Sequence, residues 1–221
     1  MSKYKTWWYW LWKQLSNVIG SINWTWLKAK FSKSGKGYDL TPEDHEQLKT
    51  LLAGGYYMIL TNRKSHLSTY AISILTLLKT GKWPKYTHIL MNLDLEDNPE
   101  NFEKFKLMEA TREGVHYSTF MDVFDCDSVC VMRPVNLKPE DWESIMEGLA
   151  MQLGKEYDNL FDIQDTSHVS CVEMVLDSLK NNPDYLNDFP HLEAMIQKVN
   201  NLTPQMYRDC EDFEVVMEVI R

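Results

Sequence analysis

Residues 38–221 of this chain predict an α+β domain, and three observations lead to that fold class. Signals that start helices recur along this part of the sequence, and short strand-like runs lie between them. Hydrophobic residues make up 44% of the chain and aromatic residues 12%, which is enough to build a core. A length of 221 residues fits one domain with an appendage. We therefore separate an N-terminal segment, residues 1–37, from a domain formed by residues 38–221.

The helices of this domain are predicted from cap residues and from apolar residues at helical spacing. Thr41 precedes a proline and two acids, and this order is typical of a helix start. Gly54 and Gly55 end that helix. The predicted helices cover residues 42–53, 67–78, 138–154 and 170–179, and the strand-like runs cover residues 56–61, 87–93, 105–110, 115–120, 128–133 and 213–219.

The N-terminal segment is rich in tryptophan and lysine. It holds six of the eight Trp residues and seven Lys, with no Asp or Glu. Apolar residues between positions 4 and 26 recur at steps of three and four, which predicts an amphipathic helix. That helix could pack on the domain or on a partner, lie on a membrane surface as a peripheral contact, or span the membrane. Residues 32–37 read as a linker, and bulky Trp and Lys make a secretory signal a poor interpretation.

Charge and cysteine content narrow the function classes. The residues after position 37 carry 16 Lys and Arg against 32 Asp and Glu, and this net charge of −16 argues against a nucleic-acid partner. Four cysteines are too few for a disulfide framework in a chain of this length, so we expect reduced thiols and a cytoplasmic protein, with a peripheral membrane location as the alternative. Cys126 and Cys130 lack a second ligand pair at zinc spacing, and we expect neither metal nor cofactor.

Cys171 lies where a helix is predicted to begin. Thr166, Ser167 or Ser170 could cap that helix. A thiol in the first turn faces backbone N–H groups and the positive end of the helix dipole, both of which favour the nucleophilic thiolate. The same amides could stabilise an oxyanion. Because a cysteine at a helix start is often simply buried, this feature alone leaves both interpretations open.

A nucleophilic cysteine needs an imidazole base, and the base needs an acceptor that orients it. Of the six histidines, His88 stands at the start of an apolar strand, just after a loop that contains proline. A half-buried strand histidine with a satisfied hydrogen bond is the structural alternative. His168 is close to Cys171 in sequence, but three residues across a loop do not ensure a hydrogen bond.

Six short motifs occur in a characteristic order along the domain. They are Gly55–Leu60, Tyr86-Thr87-His88, Leu107–Ala110, Val129–Pro134, Gly154–Asp158 and Cys171–Val175. In order and spacing, over roughly residues 50–215, the chain resembles the circularly permuted papain-like hydrolases of the NlpC type called YiiX-like, which are related to the lecithin retinol acyltransferase-like enzymes. The resemblance implies a small antiparallel sheet packed against helices, with the Cys helix on a sheet edge that carries His88 and Glu109.

The resemblance also implies a site and a reaction. Cys171 would be the nucleophile, His88 the base and Glu109 the group that orients the imidazole, while Tyr157 would lie near the site and contact substrate or oxyanion. The expected function is a cysteine-dependent hydrolase or acyltransferase acting on a cell-wall peptide, a lipid or another small molecule. A binding or structural module on the same fold is the alternative. The family commonly has Ser after the Cys, whereas this chain has Val172.

Overall fold

The structure is a computed structural model. It describes residues 39–64, 67–92, 107–138, 140–158, 168–199 and 202–221. The predicted amphipathic helix of residues 4–26 and the linker of residues 32–37 lie outside the described residues, as does the start of the domain at Tyr38. Among the described residues, no helix combines the length and the apolar character needed to cross a membrane.

Six strands form one sheet in which every pair of neighbours is antiparallel. The spatial order is β4-β3-β2-β1-β5-β6. The strands are β1 (Met58–Asn62), β2 (His88–Asn92), β3 (Leu107–Thr111), β4 (Gly114–Ser118), β5 (Ser128–Pro134) and β6 (Phe213–Ile220). This sheet, packed against helices, confirms the predicted α+β class.

The described residues also form eight helices. They are α1 (Pro42–Leu52), α2 (Leu67–Thr80), α3 (Phe120–Phe124), α4 (Asp141–Ala150), α5 (Cys171–Lys180), α6 (Tyr185–Asp188), α7 (Pro190–Ile196) and α8 (Pro204–Arg208). For α1, α2, α4 and α5, the predicted first and last residues lie within a few residues of those in the structure. The sequence did not predict α3 or the short helices α6 to α8. The strand predicted to reach Phe120 ends at Ser118, because Thr119 caps α3 through a reciprocal pair of hydrogen bonds with Asp122.

The two faces of the sheet carry two separate hydrophobic clusters. Side chains alternate along each strand, so Leu60 faces one cluster and Ile59 the other. The first cluster lies between the sheet and α4 and α5, and the second lies between the sheet and α1 and α3. Helix α5 contacts β2 and β3. Those strands lie inside the sheet, with β4 and β6 at its edges, so the prediction that α5 packs on a sheet edge is wrong.

Candidate active site

Cys171 is the first residue of α5, and the start of that helix is tightly defined. The Ser170 hydroxyl accepts from the N–H of Glu173 at 3.4 Å, and the Glu173 carboxylate accepts from the N–H of Ser170 at 2.7 Å. This reciprocal cap fixes the first turn. Of the three cap residues that the sequence offered, Ser170 is the one in place. The thiol of Cys171 therefore stands at the positive end of the helix dipole.

Contacts from α8 and α4 hold α5 in place. The hydroxyl of Tyr207, fully buried on α8, donates to the carbonyl of Val172 at 2.9 Å. Gly148 lets α4 approach α5 closely, because a Cβ atom added there would lie 2.6 Å from the Cβ atom of Asn181. The Asn181 amide also donates to the carbonyl of Ser144 at 2.6 Å. Two neighbouring helices, α4 and α8, therefore contact the helix that carries Cys171.

His88 begins β2 and connects Cys171 to a buried carboxylate. Its Nε2 lies 2.7 Å from Oε2 of Glu109, and its ring also hydrogen-bonds to Cys171. Burial alone would lower the pKa of His88, but the hydrogen bonds and negative charges of Cys171 and Glu109 outweigh burial and raise the pKa to about 10. The imidazole therefore carries a proton at neutral pH. Because Nε2 contacts Glu109, Nδ1 is the nitrogen left for Cys171.

Glu109 is buried on β3 and remains ionised. Burial alone would raise the pKa of Glu109, yet the hydrogen bond and charge of His88, together with a hydrogen bond from the Ser118 hydroxyl, lower it to about 2. Nε2 of His116 lies 3.9 Å from the second carboxylate oxygen. The Glu109 carboxylate is therefore buried and holds the His88 ring through its contact with Nε2.

The other two histidines near this region have different partners. Nδ1 of His116 lies 3.0 Å from the carbonyl of Gly114, two residues earlier on the same strand. Nε2 of His168 lies 3.5 Å from Glu156, in a bridge between two loop segments. Of these three histidines, the structure places His88 against Cys171.

Tyr157 lies beside the same thiol. The hydroxyl of Tyr157 hydrogen-bonds to Cys171. Burial, followed by the negative charges of Cys171, Asp158 and Glu173, raises the pKa of Tyr157 well above its ordinary value, so the hydroxyl keeps its proton. Among the described residues, the imidazole of His88 and the phenol of Tyr157 both act on the Cys171 side chain.

The first turn of α5 also contains a buried acid whose pKa lies in the physiological range. Burial raises the pKa of Glu173 to about 7, against the hydrogen bonds from Ser170 and with help from the charges of Asp158 and Asp177. The Oε1 atom of Glu173 has no hydrogen-bond partner. An uncharged carboxyl group is the better tolerated form in such an environment.

The four residues that the sequence proposed, Cys171, His88, Glu109 and Tyr157, come together in one place. Sequence reasoning missed Ser118 as a donor to Glu109. The hairpin register could have indicated this contact, because β3 and β4 are joined by a turn at residues 112–113. Pairing outward from that turn sets Leu107 opposite Ser118 and Glu109 opposite His116.

Metal binding requires a convergent set of ligands. In the parts of the chain that the structure describes, no group of three or more His, Cys, Asp or Glu side chains is arranged to hold a metal ion. In the candidate site, the one histidine that faces the thiol uses Nε2 for Glu109. The residues present therefore fit a hydrogen-bonded relay better than a coordination sphere.

The fold and these contacts define an α+β protein with a cysteine, a histidine and a glutamate aligned between a helix start and two neighbouring strands. A search of solved structures finds the metalloprotein YiiX from Escherichia coli O157:H7, with a TM-score of 0.54 and 19% sequence identity, over 75% of this chain and 97% of that one. The two proteins share a fold. No protein-family model matches the sequence, and neither does any curated protein.

Proposed function

We propose that this protein is a cysteine-dependent hydrolase or acyltransferase whose nucleophile is Cys171. The observation that carries the proposal is the continuous chain of contacts from Cys171 through His88 to Glu109. A nucleophile, a base and an acceptor that orients the base are the three parts that thiol catalysis requires. The YiiX-like fold agrees with this assignment but does not by itself specify a reaction.

The reaction begins with the proton already on His88, because the pKa of His88 near 10 keeps the imidazole charged at neutral pH. The sulfur of Cys171 attacks a carbonyl carbon, and a C–S bond forms as the carbonyl π electrons move to oxygen. The first amides of α5 and the hydroxyl of Tyr157 are donors for that oxyanion. The intermediate collapses, the bond to the leaving nitrogen or oxygen breaks, and His88 gives its proton to the leaving group.

The resulting thioester is resolved by water or by another acceptor. Neutral His88 removes a proton from the incoming nucleophile, which attacks the thioester carbon, and the C–S bond breaks. This step releases the acyl product and restores both the sulfur anion and the imidazolium. Glu109 keeps the His88 ring in one orientation throughout, through the 2.7 Å contact with Nε2. We propose a peptide amide or a lipid acyl group as the substrate class.

One observation favours the competing proposal, a binding or structural module on the same fold. The Cys171 side chain is only 1% exposed, whereas a nucleophile must meet its substrate. A substrate-induced opening reconciles burial with catalysis, as is common for sites that exclude water. The two proposals therefore differ in whether any acyl group becomes attached to this sulfur.

The protein is incubated with bacterial cell-wall peptides, lipid extracts and activated acyl esters. Mass spectrometry then measures the released products and the mass of the protein. The wild type should release acyl products and show an acyl adduct on Cys171 that hydroxylamine removes. Cys171→Ala should lose both signals, and His88→Ala should lose turnover by a factor on the order of 10³ or more.

The matched control is Cys126→Ala, because Cys126 is an equally buried thiol in the hydrophobic cluster on the opposite face of the sheet. That variant should keep full turnover. If Cys171→Ala turned over every substrate as fast as the wild type, the hydrolase proposal would be wrong. Absence of any adduct or product across all three substrate sets would favour the non-catalytic module.

A further inference from the structure

Helix α2 is turned the opposite way from an ordinary surface helix. Thr69, Ser73 and Thr76 form its buried face. By contrast, Ile74 is 51% exposed and Leu78 is 79% exposed. A surface helix normally buries its apolar stripe and shows polar residues to water. Here three polar residues are buried, Ile72 and Leu75 are partly buried, and large apolar side chains are exposed.

The buried hydroxyl groups are satisfied within the helix itself. The Ser73 hydroxyl donates to the carbonyl of Thr69 at 2.7 Å, and the Thr76 hydroxyl donates to the carbonyl of Ile72 at 2.8 Å. These bonds remove most of the cost of burying the hydroxyl groups. The orientation is therefore stable, and the apolar face is left outward.

The outward residues make a continuous surface, which we call the α2 stripe. Helical spacing places four exposed side chains within one arc of α2, and the loop that follows the helix adds a tryptophan. The α2 stripe consists of Tyr70, Ile74, Leu77, Leu78 and Trp83. Contiguous exposed apolar surface of this kind usually marks a surface that binds a partner or a membrane.

The charged residues on α2 and in the loop that follows it are all positive. Residues 47–93 contain six Lys and Arg and no Asp or Glu, in a chain whose net charge is −9. Lys79, Lys82 and Lys85 lie in the last turn of α2 and in the loop after it, and all three are exposed. Two acids approach this end of the sheet, but Asp127 is buried against the N–H of Lys64 at 2.6 Å, and Glu218 is paired with Arg208 at 3.2 Å.

A cavity opens beside the stripe. It has a volume of about 290 Å³ and lies between α2, the loop before β2 and the ends of β1, β5 and β6. Tyr70 and Trp83 of the stripe line it together with Lys64 and Lys85. The Lys64 ammonium donates to the carbonyl of Arg221, and the Lys85 side chain with the two aromatic rings forms a lining that suits a phosphate-bearing headgroup attached to apolar chains.

We propose that the α2 stripe docks on the surface of an anionic lipid bilayer. The apolar side chains enter the boundary between headgroups and acyl chains, Trp83 lies at headgroup level, and the surrounding lysines face lipid phosphates. A bilayer is the occupant that the charges favour, because it offers apolar and negatively charged groups in the same plane. The proposal does not depend on the chemistry proposed for Cys171.

The test uses the full chain with sedimenting vesicles of phosphatidylcholine alone or with about 30% phosphatidylglycerol. The wild type should bind the anionic vesicles, and binding should weaken as salt rises. Ile74→Asp with Leu78→Asp should lower the partition coefficient at least about tenfold, because two apolar anchors become charges that the bilayer repels. Lys82→Glu with Lys85→Glu should remove the preference for anionic vesicles.

Matched controls separate the α2 stripe from general effects. Met151 and Leu186 are similarly exposed apolar residues on other parts of the domain, so Met151→Asp with Leu186→Asp should bind like the wild type. Lys138→Glu with Lys198→Glu is the corresponding control for charge. Circular dichroism should show that all variants are folded.

Three results would overturn the proposal. The wild type could stay in the supernatant with both kinds of vesicle. The variant with Ile74→Asp and Leu78→Asp could sediment as well as the wild type, which would assign binding to another part of the chain. Sedimentation velocity without vesicles could show a dimer that only this variant dissociates, in which case a second copy of the chain covers the stripe.

Discussion

Glu109 Oε2 lies 2.7 Å from Nε2 of His88, and this pair determines the protonation state of the candidate site. Cys171 and Glu109 together raise the pKa of His88 to about 10, and His88 with the Ser118 hydroxyl lowers the pKa of Glu109 to about 2, in both cases against the effect of burial. Across the physiological range the imidazole is therefore charged and its partner is ionised. Cys171 therefore faces a positively charged imidazole ring.

Replacing Glu109 with Gln should lower the pKa of His88 by removing this negative charge. The change can be followed by the NMR chemical shift of the His88 ring as pH is varied. Ser118→Ala removes the hydrogen bond to Glu109 but keeps the charge, so its effect on the His88 pKa should be smaller. A His88 titration in Glu109→Gln identical to that of the wild type would show that the contact does not control the proton.

The same pair contributes to stability within a limited pH window. The contribution of His88 is fully present below its ordinary pKa of 6.5 and is lost as pH rises through about 10. The contribution of Glu109 is present above its ordinary pKa of 4.5 and is lost as pH falls through about 2. The wild type should therefore exceed Glu109→Gln in free energy of unfolding by the widest margin between pH 4.5 and 6.5, as measured by denaturant unfolding.

Cys171 should react with iodoacetamide before the other cysteines near neutral pH. All four thiols are buried, so exposure does not distinguish them, and the charged imidazole of His88 beside Cys171 does. Burial raises the pKa of Cys130 to about 12 and that of Cys210 to about 11, which keeps both protonated. Peptide mass spectrometry over time should find the first label on Cys171. His88→Ala should slow that labelling, and equal labelling of all four cysteines in the folded protein would contradict the assignment.

The local part of this fold was predictable from sequence, and the long-range part was not. Cap residues located α1 and α5, because Thr41 and Ser170 bond within three residues of themselves. Strand order depends on pairing between distant segments, so the interior positions of β2 and β3 could not be read from periodicity. The helices α6 to α8 have four to seven residues, too few to show a 3.6-residue period.

The candidate site was predictable only in part for the same reason. The position of Cys171 at a helix start is a local property, and the sequence shows it. The meeting of His88 with Glu109 depends on the packing of β2 against β3, and it was expected from a family resemblance rather than from spacing. The exposed apolar face of α2 was not expected, because periodicity shows where the stripe is but not which way it faces.

Tyr207→Phe should destabilise the protein without altering the residues of the site. The variant removes one buried hydrogen bond, from the Tyr207 hydroxyl to the carbonyl of Val172, while keeping the aromatic ring. A loss of about 1 kcal/mol in free energy of unfolding is expected, with an unchanged denaturant m-value. Tyr117→Phe is the control, since Tyr117 is exposed and should give a difference near zero. Equal stability of both variants would show that the bond does not anchor α5.

Because of Glu173, the free energy of unfolding should decrease as pH rises through neutrality. Its folded pKa of about 7 lies above its ordinary value of 4.5, so folding favours the protonated form. The loss of stability caused by ionising Glu173 in the folded protein is absent below pH 4.5, grows between pH 4.5 and about 7, and is complete above that range. Asp158 and Asp177 add to it by repulsion, and the N–H of Ser170 opposes it by donating to Oε2.

Glu173→Gln keeps an oxygen that can accept from Ser170 and removes the charge. Relative to the wild type, the variant should therefore gain on the order of 1–3 kcal/mol in free energy of unfolding between pH 4.5 and 7.5, because only the wild type must ionise a buried group. Denaturant unfolding at several pH values measures this difference. The control is Glu147→Gln on α4, because Glu147 is an exposed carboxyl group. A constant difference between Glu173→Gln and the wild type at every pH would mean that Glu173 does not titrate in this range, and that its role at the helix start is limited to the hydrogen bond with Ser170.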